Sequence, residues 1–291
     1  MKLIPFFRRQ TPARTVHAGG RALVRTGVAI GLAALAWSHG ATLHAQDDPP
    51  KQIDVSSLPA KIVDEVVVPV PTEVFGVLDK LGAPNWHHVL RKIEHSGTGE
   101  RPQVALLLGS VIAEGFIAVE AQEPEEVKEI GRRVLSLAEA IGVRKSVISR
   151  TSSIIDSADK KDWGRIRVEL DGAAQDVRQA MIELQDEQLA QLVSLGGWLR
   201  GTEAVTEVVQ KNYTRDGAEL LHQPVLLDHF QSQLDGMNSR LKRNTLVAEI
   251  RKTLPDIRPL IEKREELSKE NVDKVHAITR DLVKAISAQE S

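Results

Sequence analysis

The chain has 291 residues, with 38 basic and 40 acidic side chains and no cysteine. The absence of cysteine excludes disulfides, thiolate metal sites, a cysteine nucleophile and the Cys-x-x-Cys-His attachment of haem. The slight acidic excess argues against nucleic-acid binding, because such proteins engage phosphates through a positive field.

Residues 1–45 have the pattern of a cleaved secretory signal. Six basic residues and no acid come first, then the short apolar run from Thr26 to Trp37, and then small and polar residues that end at Ala45. This order is typical of export signals, and the run is shorter than the roughly 20 residues that span a bilayer as a helix. We predict an exported, periplasmic protein that is cleaved near Ala45; an uncleaved membrane anchor is the alternative.

Cleavage at that position would leave 32 basic against 40 acidic residues, since the six removed charges are all basic. The mature chain is therefore more acidic than the whole chain, which strengthens the prediction that it binds no nucleic acid. We also predict no transmembrane segment in the mature chain.

Residues 46–71 form a predicted extended linker, rich in proline and valine. Five prolines exclude a long helix there, and the DEVVVPVP segment is expected to be extended: Pro49, Pro50, Pro59, Pro69 and Pro71. This lead precedes the predicted folded domain.

Residues 72–291 predict a single all-α domain. Good helix formers fill its segments, and short connections favour antiparallel neighbours, so we expect a multi-helix antiparallel bundle of about eight to nine helices. Thr72 and Asn85 are predicted to cap the first two helices, and Pro124 to open one that Gly142 ends. The other predicted helices are Gln103–Gln122, Lys145–Lys160, Trp163–Leu184, Asp186–Asn212, Asp216–Met237 with a break or kink at Pro224, Ser239–Leu254 and Ile257–Ala288. Residues 239–288 are alternatively a semi-separate hairpin.

A stripe of small residues marks two of these helices. Ala190, Ser194, Gly197, Gly201 and Ala204 recur on one helix face, and such a stripe lets another helix backbone approach closely. The other helix carries a matching stripe, and we predict tight packing between five residues: Ala105, Gly109, Ala113, Gly197 and Gly201. A ligand site is the alternative use of the glycines. Gly196 lies beside the stripe and is not explained by it.

A buried polar cluster is predicted beside this crossing. Glu114 lies on a helix that has no charge from Pro102 to Ala113, and a carboxylate in such a place needs a partner. Arg200 is the predicted partner, with Glu203 one turn further on and Trp198 nearby. The cluster either fixes the helix register as an ion pair or lines a small polar pocket; alternatively, Glu114 reaches solvent.

Motifs for catalysis and metal binding are weak. The sequence has no Gly-x-Ser-x-Gly elbow and no glycine-rich phosphate loop, so we predict no enzyme and no cofactor. Glu219 and His222 form a single Glu-x-x-His unit, whereas di-iron bundles use two such units. We therefore predict no metal site, with Glu219 and His222 as the alternative ligands.

A basic patch lies in the last part of the chain. It is expected to meet an envelope protein or an anionic surface, although a solvated face with ion pairs explains it as well: Arg240, Lys242, Arg243, Arg251 and Lys252. Together these features predict a non-catalytic interaction or structural protein of the cell envelope. The alternative is a helical bundle that binds a small ligand or a metal.

Overall fold

Residues 60–63, 66–69, 75, 84–92 and 99–288 are described by this computed structural model of the protein. The predicted signal peptide, residues 1–45, and most of the predicted linker lie outside the described residues. Those that are described belong to one compact unit, Pro50–Ser291. It is an all-α, multi-helix bundle, so the predicted fold class is confirmed.

Helices account for most of residues 101–288, and eight of the helices in that range have nine residues or more. The first five are α1 Arg101–Glu120, α2 Pro124–Ala140, α3 Arg144–Asp159, α4 Trp163–Glu183 and α5 Glu187–Lys211. The rest are α6 Arg215–Glu219, α7 Pro224–Gly236, α8 Ser239–Arg243, α9 Thr245–Thr253, α10 Arg258–Ile261 and α11 Lys269–Ser287. Short 3₁₀ turns lie at Trp86–His88, Leu254–Ile257 and Arg264–Glu266.

Two short strands lie within the proline- and valine-rich lead. Strand β1, Ala60–Val63, pairs antiparallel with β2, Val66–Pro69, so that Ala60 faces Pro69 and Val63 faces Val66. The extended conformation expected here is thus partly a hairpin, and β2 contacts α7.

Several helix ends follow the predicted local signals. Pro124 lies in the first turn of α2 with Glu125 and Glu126, where a missing N–H and negative charges are favourable. Gly142, with φ of 87°, follows that helix in the left-handed conformation that glycine adopts most easily. Asp162 caps α4 by accepting a hydrogen bond from the Arg165 N–H at 3.0 Å.

Other predicted helices are wrong in their bounds, and capping residues explain two of the breaks. Asn85 precedes only a 3₁₀ turn, and Pro224 starts α7 rather than kinking a longer helix. Asn244 splits the predicted 239–254 helix because it caps α9, accepting from Val247 N–H at 3.0 Å. Ser268 likewise caps α11, so the last helix begins twelve residues later than the predicted Ile257.

Helix α1 is the centre of the bundle. Every residue from Gln103 to Val119 is buried, because α5 packs along it, with α2 and α4 beside them. The helix is long and apolar enough to cross a membrane, yet 94% of its most apolar stretch is buried by the rest of the protein. Helix α11 packs mainly on α5.

Candidate functional site

Helices α1 and α5 cross at two glycines, Gly109 on α1 and Gly196 on α5, and each lies against the backbone of the other helix. A Cβ atom on Gly109 would overlap the Val193 carbonyl oxygen and come within 2.7 Å of the Gly197 nitrogen. A Cβ on Gly196 would overlap the Leu106 carbonyl oxygen. The Ser110 hydroxyl also donates to the Gly196 carbonyl at 3.0 Å. The tight crossing predicted from sequence is therefore present, but Gly196, which the stripe did not explain, is one of its two closest points.

The predicted packing role is wrong for Gly201. A Cβ there would meet nothing within 4 Å, because this part of the stripe faces a cavity rather than a helix. Ala105 and Ala113 are buried on α1, and Ala113 also lines that cavity. The stripe thus contains two kinds of position, one at the helix crossing and one facing open space.

The predicted charged cluster lies on the other side of α5. The Arg200 Nε donates to Glu114 Oε2 at 2.6 Å, and both side chains are 1% exposed. Arg200 also donates to the Val89 carbonyl at 2.6 Å and lies 3.5 Å from Glu203. The predicted Glu114–Arg200 pairing is present, and Glu114 does not reach solvent.

Arg91 completes the cluster. Its backbone N–H donates to Glu114 Oε1 at 2.6 Å, and its half-buried guanidinium pairs with Glu203. Two carboxylates therefore face two guanidinium groups, so the cluster has no net charge and ties residues 89–91 to the α1–α5 crossing. The predicted membership of Trp198 is wrong, since that residue donates instead to Gln223 Oε1 at 3.2 Å.

Glu203 gives the cluster a distinctive pH dependence. Burial raises the pKa of Glu203 above its ordinary value of 4.5, although Arg200 and Arg91 act in the opposite direction. A raised pKa means that the folded state binds the proton more tightly than the unfolded state does. This group therefore contributes stability that is fully present below its unfolded pKa and is lost as pH rises through its folded pKa.

We expect the free energy of unfolding of the wild type, minus that of Glu203→Gln, to increase as pH falls from 7 toward about 4.5. Urea unfolding at a series of pH values measures this difference. Glu270→Gln is the control of opposite sign, because Lys274 lowers the pKa of the exposed Glu270. A difference for Glu203 that is flat, or that decreases as pH falls, would contradict this explanation.

A cavity of about 470 Å³ lies next to α5. On α5 it is lined by Ala190, Ser194, Gly197, Gly201 and Val205, a lined length of about 22 Å at the 1.5 Å rise of a helix. Small residues leave this space open because they carry little or no side chain to fill it. The cavity thus lies on the face of α5 that carries the small-residue stripe. The contact of Gly196 with α1 lies beside that face.

Apolar and aromatic side chains form the other walls. Helix α1 contributes Ile112 and Phe116, and α7 contributes Leu226 and Phe230. Trp198 lies across from α7, with its ring centroid 5.5 Å from that of Phe230. The remaining polar lining groups are Asp171, Arg178, Glu187, Gln191, Thr202, Gln223, His229 and Gln233. Such a lining, apolar with a few polar groups, is the usual composition of a small-molecule site.

The alternative metal ligands do not come together as a metal site in the part of the chain that the structure describes. The His222 ring nitrogen Nδ1 bonds to the Ile261 carbonyl at 2.9 Å, and Glu219, 1% exposed, lies 3.9 Å from Arg215. No group of three or more His, Asp or Glu side chains is arranged around a common point among the described residues.

The predicted basic patch is partly neutralised by acids. Arg251 pairs with Asp235 at 2.6 Å, and Lys242 lies close enough to Asp235 to help lower its pKa. The other three side chains are exposed and make no ion pair with a described residue: Arg240, Arg243 and Lys252. The patch therefore contains three solvated cations rather than five.

Sequence reasoning did not identify the α7 wall of the cavity or Arg91 in the charged cluster. Residues such as Leu226 and Phe230 look like ordinary apolar positions of an amphipathic helix, so no local pattern distinguishes them.

The chain matches no protein family, no curated protein and no solved structure at a significant level.

Proposed function

We propose that this protein binds a small apolar molecule in the cavity beside α5. Gly201 is the observation that supports the proposal most. A glycine inside a helix costs about 1 kcal/mol relative to alanine, and no atom of the described residues lies close enough to require a glycine at this position. Stability that is lost without a packing reason is expected at functional sites.

The size and lining of the cavity support the same proposal. The cavity is a partly open cleft of about 470 Å³ between helices. That volume lies in the range of roughly 300–1,000 Å³ that small-molecule sites occupy, and the spaces between helices of a bundle are a common place for them. Trp198, Phe116 and Phe230 offer large apolar contact surfaces for such a ligand.

Fluorescence of N-phenylnaphthylamine, an uncharged dye that brightens in apolar surroundings, tests the proposal. We expect saturable binding to the wild type, and binding at least about tenfold weaker to Gly201→Phe, because the new ring occupies space that the dye would fill; tenfold corresponds to about 1.4 kcal/mol.

Gly236→Phe is the matched control. A Cβ on Gly236 also meets nothing within 4 Å, but Gly236 is not among the lining residues of the cavity. Equal dye binding by wild type, Gly201→Phe and Gly236→Phe would show that the dye binds elsewhere and would contradict the proposal.

We further propose that the protein is exported and carries out this binding in the periplasm. Support comes from the basic, apolar and small-residue order of residues 1–45. The solvated cations Arg240, Arg243 and Lys252 are in keeping with an encounter with an anionic envelope surface. Immunoblotting of periplasmic and cytoplasmic fractions tests the location. The expected result is a periplasmic band that migrates at the size of the chain without residues 1–45.

A further inference from the structure

We infer that the ligand is a single-chain amphiphile that lies along α5 in one orientation. Its polar head lies at the end of the cavity formed by Arg178, Glu187 and Gln191, and its chain points toward Ile257, Ile261 and Val275. This inference rests on the proposed binding function and specifies the chemical class of the ligand.

The two ends of the cavity differ in exposure. At the beginning of α5, the lining residue Ile182 is 38% exposed and Glu187 is exposed. At the other end, Leu220, Ile257 and Val275 are at most 1% exposed. The cavity is therefore more exposed where α4 turns into α5 and more enclosed where α5 meets α10 and α11; these are called its open end and its closed end.

The two ends also differ in polarity. Arg178, Glu187 and Gln191 line the open end, and α7 adds Gln233 to it. Asn238, which follows α7, donates two hydrogen bonds to Gln188 Oε1 at 3.2 and 2.7 Å. These bonds hold the C-terminal end of α7 beside the start of α5, which brings Gln233 to the open end.

The closed end is mostly apolar, with a lining of Val205, Leu220, Leu221, Ile257, Ile261 and Val275. Gln223, which follows Leu221 and also lines the cavity, already uses its amide, because Nε2 donates to the Leu220 carbonyl at 2.9 Å and Oε1 accepts from the Trp198 indole N–H at 3.2 Å. A polar group at this end would lose its water with little hydrogen bonding from the lining in return, which is costly. A molecule with one polar end and one apolar end therefore binds preferentially in one direction.

Length favours a single acyl chain. The α5 wall from Ala190 to Val205 is about 22 Å long. One leaflet of a bilayer is about 15 Å of hydrocarbon, half of the roughly 30 Å core, so an extended lipid chain fits lengthwise with its head at the opening. Gly197 and Gly201 keep the middle of this path clear, opposite the Phe230 ring.

Photo-crosslinking to the full-length protein tests the orientation. Two palmitic acid analogues are used, one with a diazirine near the carboxyl group and one with it near the terminal methyl. We expect the first to label peptides that contain Arg178 or Gln191, and the second to label peptides that contain Ile257 or Ile261. Reversed labelling, or the same labelling by both analogues, would overturn the inference.

Displacement of N-phenylnaphthylamine separates failure of this inference from failure of the proposed function. If the dye binds in the cavity but neither palmitic acid nor palmitoyl lysophosphatidylcholine displaces it, the binding function stands and the amphiphile is wrong. If the dye itself does not bind, the proposed function fails as well. Displacement by palmitic acid alone supports a free fatty acid as the ligand, and displacement by the lysolipid supports a lipid headgroup at the opening.

Discussion

Replacement of Gly196 by alanine is expected to lower the free energy of unfolding by about 3 kcal/mol, the upper part of the range for overpacked interiors. The added methyl group would overlap the Leu106 carbonyl oxygen. Because the obstacle is backbone rather than a flexible side chain, α1 and α5 must separate along their buried contact. Urea unfolding followed by circular dichroism measures the loss.

The same substitution five residues later is expected to have the opposite effect. Gly201→Ala adds its methyl group to open space and gains the helix propensity of alanine, about 1 kcal/mol. Both variants make the same chemical change in the same helix, so propensity alone predicts equal gains. Equal effects of the two substitutions would contradict the distinction between the crossing and the cavity face.

Loss of Arg200 is expected to be the largest single effect in the charged cluster. Arg200→Met leaves Glu114 and Glu203 buried with only Arg91 between them, and breaking a buried ion pair in this way costs about 3–5 kcal/mol. It also removes the donor to the Val89 carbonyl, which loosens residues 89–91. Urea unfolding measures this loss too.

A double-mutant cycle with Glu114→Gln identifies the pairing. We expect a coupling energy between about 0.5 and 3 kcal/mol, as for residues in one hydrogen-bonded network; strictly additive losses would argue against the pair. Arg132→Met is the control, because Arg132 pairs with Glu129 at 3.0 Å and the two side chains are 57% and 44% exposed. Its loss is expected to cost about 1 kcal/mol or less.

The centre of the bundle was predictable because its signals are local and strong. A helix without charge from Pro102 to Ala113 is expected to be buried on all sides, and the carboxylate of Glu114, directly after that stretch, needs a cation. Arg200 was the obvious candidate because the small residues around it indicated a close crossing. The Glu114–Arg200 pair was thus inferred from the chemistry of burial.

The stripe was harder to interpret because spacing identifies a helix face but not what lies opposite. Gly197 and Gly201 have the same four-residue relation whether they meet a backbone or a cavity. Gly196 directly precedes Gly197, so the two residues lie about 100° apart around the helix. This difference places Gly196 against Leu106, whereas Gly197 lines the cavity. The contact between α1 and α5 depends on tertiary packing, which the periodicity of either helix does not predict.

The remaining differences arise from long-range or capping interactions. Arg91 enters the charged cluster through its backbone N–H as well as its side chain, and no sequence pattern predicts a backbone donor at a distant carboxylate. Asn244 splits one predicted helix and Ser268 delays the start of another, because each side chain accepts a hydrogen bond from a free N–H of the helix that follows it. The predicted bounds followed helix propensity, which continues through both positions, and therefore missed the helix boundaries that these caps create.

The most direct test of a ligand site beside α5 is a crystal structure with palmitic acid that is brominated at its terminal carbon. Anomalous scattering from bromine locates the end of the chain without interpretation of weak density. The expected result is a peak inside the cavity, near Ile261 and Val275. Bromine that binds only outside the cavity, or a cavity that stays free of it at saturating ligand, would contradict the account.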